Sequence, residues 1–340
     1  MCAARRHARA RAARSAHSER ATSVPSAIPT AGMLPLLLAL PTFAALSPAP
    51  VPSIRLNNGV EMPMVSLGTW QYNVSEAEAV VRLGLKLGFT HIDAAWGYKN
   101  QEGVGAALKE VPRDSYFLTT KVPDCGRLGG CADNYKNASD SLDANLKQLG
   151  VEQVDLVLIH WPPATNKGKS LDCHAVQEDW RALEDFYKAG KARSIGVSNY
   201  CPRALQCLMQ KATVTPAVNQ VMYHIGMGPD PGGIKTYCDS LGIRLQAYSP
   251  LGDGTLELIT GPLVTAIGKA HGVSGAAVSL RWATQHGVPL STKSTSAKHL
   301  AENLGIYSFK LNATEMSVLD QSATPASDFP GGSYSFMCEL

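Results

Sequence analysis

From Ile54 onward the chain repeats a two-part pattern. A short apolar run is followed by a longer stretch whose apolar positions recur every three or four residues, the periods of a buried strand and an amphipathic helix. "IRLNNGVEM" places Asn-Gly between two alternating segments, which predicts a β-hairpin. "MVSLGT" then reads as the first strand, and "SEAEAVVRLGLKLG" as a helix with Ser75 at its N-cap, Glu78 three residues on and Gly88 as its stop. The same alternation continues with "THIDA", "YFLTTKV", "VDLVLIH", "ARSIGVSN", "AVNQV", "IRLQAYS" and "VPLST" as strands, each followed by a helical stretch. Gly150 and Gly190 end the helices after the third and fourth strands. Eight such alternations in roughly 250 residues predict an α/β fold, a (β/α)8 TIM barrel with the hairpin closing its bottom. A doubly wound sheet is the competitor, but no GxGxxG follows the first strand.

The first fifty residues break this pattern. An Arg-, Ala- and Ser-rich, acid-poor stretch leads into "MLPLLLALPTFAAL", which is short of the ~20 apolar residues of a spanning helix and is interrupted by prolines. Residues 1–50 are expected to be a removable or unstructured leader and residues 51–340 a single barrel domain. Three readings of the leader stay open. It resembles a secretory signal with Ala44, Ala45 and Ser47 near a cleavage point, or an organelle transit sequence of plastid or mitochondrion. In the third reading translation begins at Met33 and the protein is cytoplasmic.

Removing residues 1–52, with six arginines and one glutamate, also changes the charge picture. The formal charge of +3 becomes a balance of 25 basic and 27 acidic residues. A surface so nearly neutral has no footprint for nucleic acid, and no membrane partner is expected for the mature domain. The eight cysteines form no CxxC pair, so isolated buried thiols are expected, and no histidine and cysteine spacing supports a metal. The three Asn-X-Ser/Thr triplets, at Asn73, Asn137 and Asn312, are as frequent as chance allows.

In a barrel of this type the chemistry lies where strands end. The first strand ends in Thr69 and Trp70, and the second in Asp93, with Trp96 and Tyr98 shortly after. The third ends in Lys121, and the fourth in His160 and Trp161. Ser198 and Asn199 end the fifth, Gln220 the sixth, and Tyr248 and Ser249 the seventh. Each alone has an ordinary structural explanation as a cap, a core tyrosine or a solvated strand end. Together they make a coherent site. An ammonium beside a phenol favours the phenolate, so Lys121 is expected to lower the pKa of Tyr98, with Asp93 holding the lysine charged. His160 would orient a carbonyl oxygen by a hydrogen bond. That is a proton donor facing a carbonyl, and it needs a hydride source. Ser198, Asn199 and Gln220 have the amide and hydroxyl groups to hold a carboxamide ring, and Tyr248 offers a face for it to stack on. "YSPLGDG", with Ser249 and Leu251, suits a pyrophosphate, and Lys293, Ser294 and Thr295 precede a helix N-terminus, which favours anions.

These stretches, in order, resemble the aldo-keto reductase family from about Ile54 to Pro325. "GFTHIDAAWGYKNQEGVG", "LTTKVP", "LVLIHWP", "IGVSNY", "AVNQVMYH" and "YSPLG" are similar to its successive motifs. The resemblance implies NAD(P)H-dependent reduction of aldehydes or ketones, with Asp93, Tyr98, Lys121 and His160 as the catalytic set and Tyr98 as the acid. It implies that Ser198, Asn199 and Gln220 contact the nicotinamide and that Tyr248 stacks on it. Lys293, Ser294, Glu302 and Asn303 fall at the adenosine 2′-phosphate end, and Trp70, Trp96 and Trp161 line the substrate pocket. One departure stands out. Where the family usually has an arginine before the Glu-Asn pair, this chain has His299, which offers only part of an arginine's fork for phosphate, so NADPH is expected and NADH is possible. The competing function is a non-catalytic cofactor-binding barrel with a regulatory or structural role, which the loss of a member of the set would favour. None is lost.

Overall fold

The computed structural model describes residues 50–123, 131–165 and 170–323. The leader expected over residues 1–50 therefore lies almost wholly outside the described residues.

The hairpin forms from β1 (Ser53–Arg55) and β2 (Glu61–Pro63), paired antiparallel with Ile54 opposite Met62. Gly59 takes φ +87 in its turn, a conformation that costs a glycine nothing. Eight parallel strands then close into a barrel: β3 (Val65–Gly68), β4 (His91–Asp93), β5 (Phe117–Val122), β6 (Val154–Ile159), β9 (Ala192–Ser198), β10 (Val218–Met222), β11 (Arg244–Tyr248) and β12 (Leu290–Thr292). Their order is β3-β4-β5-β6-β9-β10-β11-β12, and β12 pairs back onto β3. Between β6 and β9 a two-stranded pair, β7 (Ala164–Thr165) and β8 (Ser170–Leu171), stands outside the barrel. The helices are α1 (Val74–Leu87), α2 (Gln101–Leu108), α3 (Asn134–Leu149), α4 (Cys173–Lys188), α5 (Pro202–Met209), α6 (Ile234–Ser240), α7 (Leu256–Thr260), α8 (Pro262–His271), α9 (Gly275–Gln285), α10 (Ala297–Leu304) and α11 (Ala313–Asp320). The (β/α)8 expectation is met. Helices α7, α8 and α11 are additions that the alternation did not register. No helix among the described residues is long and apolar enough to cross a membrane.

The barrel strands are buried along nearly their whole length, so their apolar runs need not alternate. Gly196 shows how tightly they pack. A Cβ there would come within 2.5 Å of the Val218 carbonyl oxygen, so no larger residue fits without moving β9 from β10.

Two local expectations are corrected. The N-cap of α1 is Asn73, not Ser75. The Asn73 side chain accepts from Glu76 N at 2.9 Å and the Glu76 carboxylate accepts from Asn73 N at 3.0 Å. This box starts the helix two residues earlier because Asn73 is the last residue with extended φ/ψ. Asn312 forms the same reciprocal box with Glu315 at the start of α11. Two of the three Asn-X-Ser/Thr triplets are thus helix caps.

The cysteines are not all isolated thiols. Cys173, in the first turn of α4, is disulfide-bonded to Cys207 of α5, with Cα atoms 5.6 Å apart, and Cys131 is also disulfide-bonded. The sequence separation of 34 between Cys173 and Cys207 hides this neighbourhood, which arises only because consecutive barrel helices pack side by side. Cys201 and Cys238 are buried thiols outside any disulfide, as expected.

Candidate active site

The four strand-end residues singled out for proton transfer meet at the C-terminal mouth. Asp93 closes β4, and Lys121 reaches it from the next strand, β5. The two are paired through Lys121 Nζ and Asp93 Oδ1, and both are almost fully buried. The same ammonium donates to the Ala94 carbonyl and, at 3.2 Å, to the hydroxyl oxygen of Tyr98. Tyr98 ends a single 3-10 turn (Trp96–Tyr98) directly after β4, so its ring swings back over the strand end. His160 follows β6, anchored by its amide on the Val122 carbonyl at 3.0 Å, and its ring meets that of Tyr98 edge-on with centroids 5.7 Å apart.

Electrostatics correct one expectation. Tyr98 is held above the ordinary phenol value, because its burial disfavours the phenolate more than Lys121 favours it, and Asp93 adds to the rise. Lys121 does pull downward, but it does not win. Lys121 itself is raised: burial opposes its charge, and the charges and hydrogen bonds of Asp93 and Tyr98 outweigh that opposition. The resting pair is therefore an ammonium and a neutral phenol.

The residues expected around a cofactor line the next strands. Ser198 Oγ donates to the Gln220 carbonyl at 2.8 Å. Asn199 takes φ +65, and its amide nitrogen donates to the His160 carbonyl at 2.8 Å while its oxygen accepts from Tyr248 Oη at 2.8 Å. Asn199 thus ties the ends of β6, β9 and β11 together. Gln220 Nε2 donates to Asp93 Oδ2 at 2.8 Å, which ties β10 to Asp93. Thr69 donates to the Asp93 carbonyl, and Ser249 donates to Asp253 in the loop after β11, beside the half-buried Leu251.

At the far end Ser296 caps α10, and Ser294 Oγ accepts from its amide at 3.1 Å. Glu302 lies 3.9 Å from Lys298 in an exposed pair, Asn303 is buried, and His299 is exposed in the first turn. Lys293 donates to Gln71 Oε1 at 2.7 Å and lies over the rings of Tyr72 and Trp70, with centroids 4.9 and 5.7 Å from its ammonium; desolvation lowers its pKa. Of the tryptophans, Trp70 is 45% exposed at the rim. Trp161 stacks loosely on His160, and Trp96 carries the Lys99 ammonium over its ring at 2.9 Å. Gln71, Asn100 and Gln246 were missed by sequence reasoning. Asn100 donates to the Thr69 and Tyr72 carbonyls and so shapes the first loop. Gln246 carried a signal: it lies two residues before Tyr248, on the same strand face.

The model of the aldo/keto reductase family matches residues 64–324. The chain belongs to the aldo-keto reductase family. It is 38% identical over 273 residues to a glyoxal reductase of Bacillus subtilis, covering 79% of this chain and 91% of that one. It is 34% identical to a 9,11-endoperoxide prostaglandin H2 reductase of Trypanosoma cruzi, covering 82% and 96%. Among solved structures, an aldo-keto reductase from a deep-sea metagenome superposes with a TM-score of 0.72 at 30% identity, over 80% of this chain and 95% of that one. An aldo-keto reductase of Bombyx mori in complex with NADP superposes with a TM-score of 0.69 at 29% identity, over 80% and 93%. Membership of the family makes this aldo-keto reductase an oxidoreductase of carbonyl compounds.

The donor set here fits a nicotinamide dinucleotide. An amide and a hydroxyl at two strand ends, an aromatic ring above them and a partly desolvated ammonium beside a capped helix are the groups that a carboxamide ring and a phosphate require. Among the described residues no group of acidic, histidine or cysteine side chains is arranged to hold a metal ion.

Proposed function

We propose that this aldo-keto reductase reduces small aldehydes or ketones to alcohols with NADPH, Tyr98 delivering the proton. The observation that carries the reading is the buried Lys121 ammonium, held between the Asp93 carboxylate and the Tyr98 oxygen at the barrel mouth. When bound, the cofactor supplies the hydride. Tyr98, kept protonated by its surroundings, holds the proton that the carbonyl oxygen takes up as it becomes an alcohol. Lys121 favours the charge that develops on the phenol oxygen as that proton leaves. Asp93 keeps the ammonium in place, and His160 orients the carbonyl toward Tyr98.

Ser198, Asn199 and Gln220 would hold the carboxamide, and Tyr248 would cover the ring. Thr69, Ser249 and Leu251 would line the path to the adenosine end, where Lys293, Ser294, Glu302 and Asn303 lie. Preference for NADPH over NADH follows from Lys293, because His299 is a weaker phosphate ligand than arginine. Trp70, Trp96 and Trp161 give the substrate an aromatic frame suited to small, partly apolar carbonyl compounds. The near-neutral surface of the barrel supports a small-molecule partner over a nucleic acid.

The deciding experiment is single-turnover hydride transfer from NADPH to 4-nitrobenzaldehyde, run beside a fluorescence titration of cofactor binding. Tyr98→Phe should bind NADPH normally and transfer hydride about 10²–10⁴ times more slowly. Near-normal transfer in that variant would sink the mechanism. Cofactor binding with no turnover in the unaltered protein would favour a non-catalytic barrel.

A further inference from the structure

One buried amide inside the barrel has no part in the chemistry above. Gln246 sits in β11 directly opposite Gln220 of β10 and is fully buried. The orientation of both amides follows from what each one faces. Both oxygens of Asp93 are committed, one to Lys121 and the other to Gln220. A carboxylate only accepts, so Gln220 must turn its nitrogen toward Asp93. The second proton of that nitrogen goes to Gln246 Oε1 at 3.1 Å. Gln246 in turn must present its oxygen, because the flipped amide would set N–H against N–H.

This leaves Gln246 Nε2 buried and without a hydrogen-bond partner among the described residues. An apolar side chain of the same length would remove this unmatched donor but leave the second proton of Gln220 unmatched in its place. The number of unmatched buried donors is the same either way, so it does not explain the glutamine. What it does accomplish is to use the last free proton of Gln220, so that the amide cannot rotate away from Asp93.

We infer that Gln246 is a positioning residue, acting through Gln220 to hold Asp93 and so to set how much of the Lys121 charge is felt by Tyr98. The inference rests on the functional reading above. Without Gln246, the Gln220 amide is free to turn and Asp93 loses its second hydrogen bond. The carboxylate then draws more fully on Lys121, and the phenolate of Tyr98 is less favoured. The amide oxygen of Gln220, the one end not committed to the protein interior by this pairing, also loses its fixed direction toward a bound carboxamide.

The test is Gln246→Met, with Gln246→Leu as a second variant. Three measurements are needed: the pH profile of alcohol oxidation with NADP+, cofactor titration by tryptophan fluorescence, and the thermal midpoint. Oxidation requires Tyr98 to accept a proton, so its rate rises with pH toward the phenol's value. In both variants that limb should move to higher pH by about half a unit to one unit. Affinity for NADPH and NADH should fall by the same factor, since the 2′-phosphate end is untouched. The thermal midpoint should change little, since one unmatched donor replaces another. An unmoved limb with unchanged affinity would overturn the inference, and with a lowered midpoint in both variants it would mark the amide as purely structural. Failure of the unaltered protein to bind either cofactor would instead overturn the functional reading on which the inference stands.

Discussion

The barrel buries an aspartate near each end, and the two are used in opposite ways. Near the N-terminal end, Asp155 of β6 accepts from Arg113 at 2.6 Å, from Arg193 at 2.7 Å and from the Leu118 amide at 2.8 Å. Every bond there ends on the protein, and the arginines seal the strand ends. At the C-terminal mouth, Asp93 takes Lys121 and Gln220, and the chain of contacts continues through the ammonium to Tyr98. That chain ends on a hydroxyl beside His160, at the open rim. A saturated carboxylate closes a barrel. A carboxylate whose partner has a contact to spare makes a reactive group.

The contrast can be broken most sharply at Asp155. Asp155→Ala strands the buried Leu118 amide and takes the carboxylate from two arginines that keep contact with water, so it should cost about 3–5 kcal/mol of stability. Urea unfolding measures that cost, while the fraction still folded should bind NADPH as before. Tyr98→Phe should do the reverse, unfolding at nearly the unaltered urea midpoint with turnover cut about 10²–10⁴-fold. Equal stability losses in the two variants would erase the distinction between the ends.

A smaller effect should come from the cystine on the outer layer. Cys173–Cys207 closes a loop across α4 and α5, and bridges of this kind contribute about 2–4 kcal/mol. Urea unfolding of the unaltered protein and of Cys207→Ser, both without dithiothreitol, should differ by an amount in that range, and the reductant should shift Cys207→Ser only by what the bridge at Cys131 contributes. Coincident curves for the two proteins without dithiothreitol would show that Cys173–Cys207 adds nothing.

The smallest expected effect is a pH response at the hairpin end. His91 is wholly buried between the Pro63 carbonyl and the Thr119 hydroxyl, and burial lowers its pKa to about 4. The unfolded chain has the ordinary value of about 6.5, so between these two values it binds more protons than the folded one. Stability should then be complete above about pH 7 and decline as pH falls toward 4, with roughly 2 kcal/mol gone by pH 5. His91→Gln should flatten the dependence of the urea midpoint between pH 7 and 5. An unchanged slope would show that another group controls acid stability.

What the sequence determined by itself is set by short-range physics. Strand and helix periods, Gly88 and Gly150 as left-handed stops, and the Asn-Gly turn are decided within a few residues, so the barrel and its hairpin were legible. The strand-end rule then located Asp93, Tyr98, Lys121 and His160, because in this architecture the end of a strand is already a position in space. Even locally there was competition, and Asn73 displaced Ser75 as a cap because both had suitable neighbours three residues on.

Only the tertiary structure decided what depends on packing between distant segments. The balance of burial against Lys121 at Tyr98 turns on desolvation, which no spacing encodes. Cys173 meets Cys207 because two helices lie side by side, and Gln246 matters because β10 and β11 pair in a register that sets it against Gln220. The sequence names the groups that are present. How a charge or an amide behaves depends on which neighbours closure of the barrel brings within reach, and on the water that closure excludes.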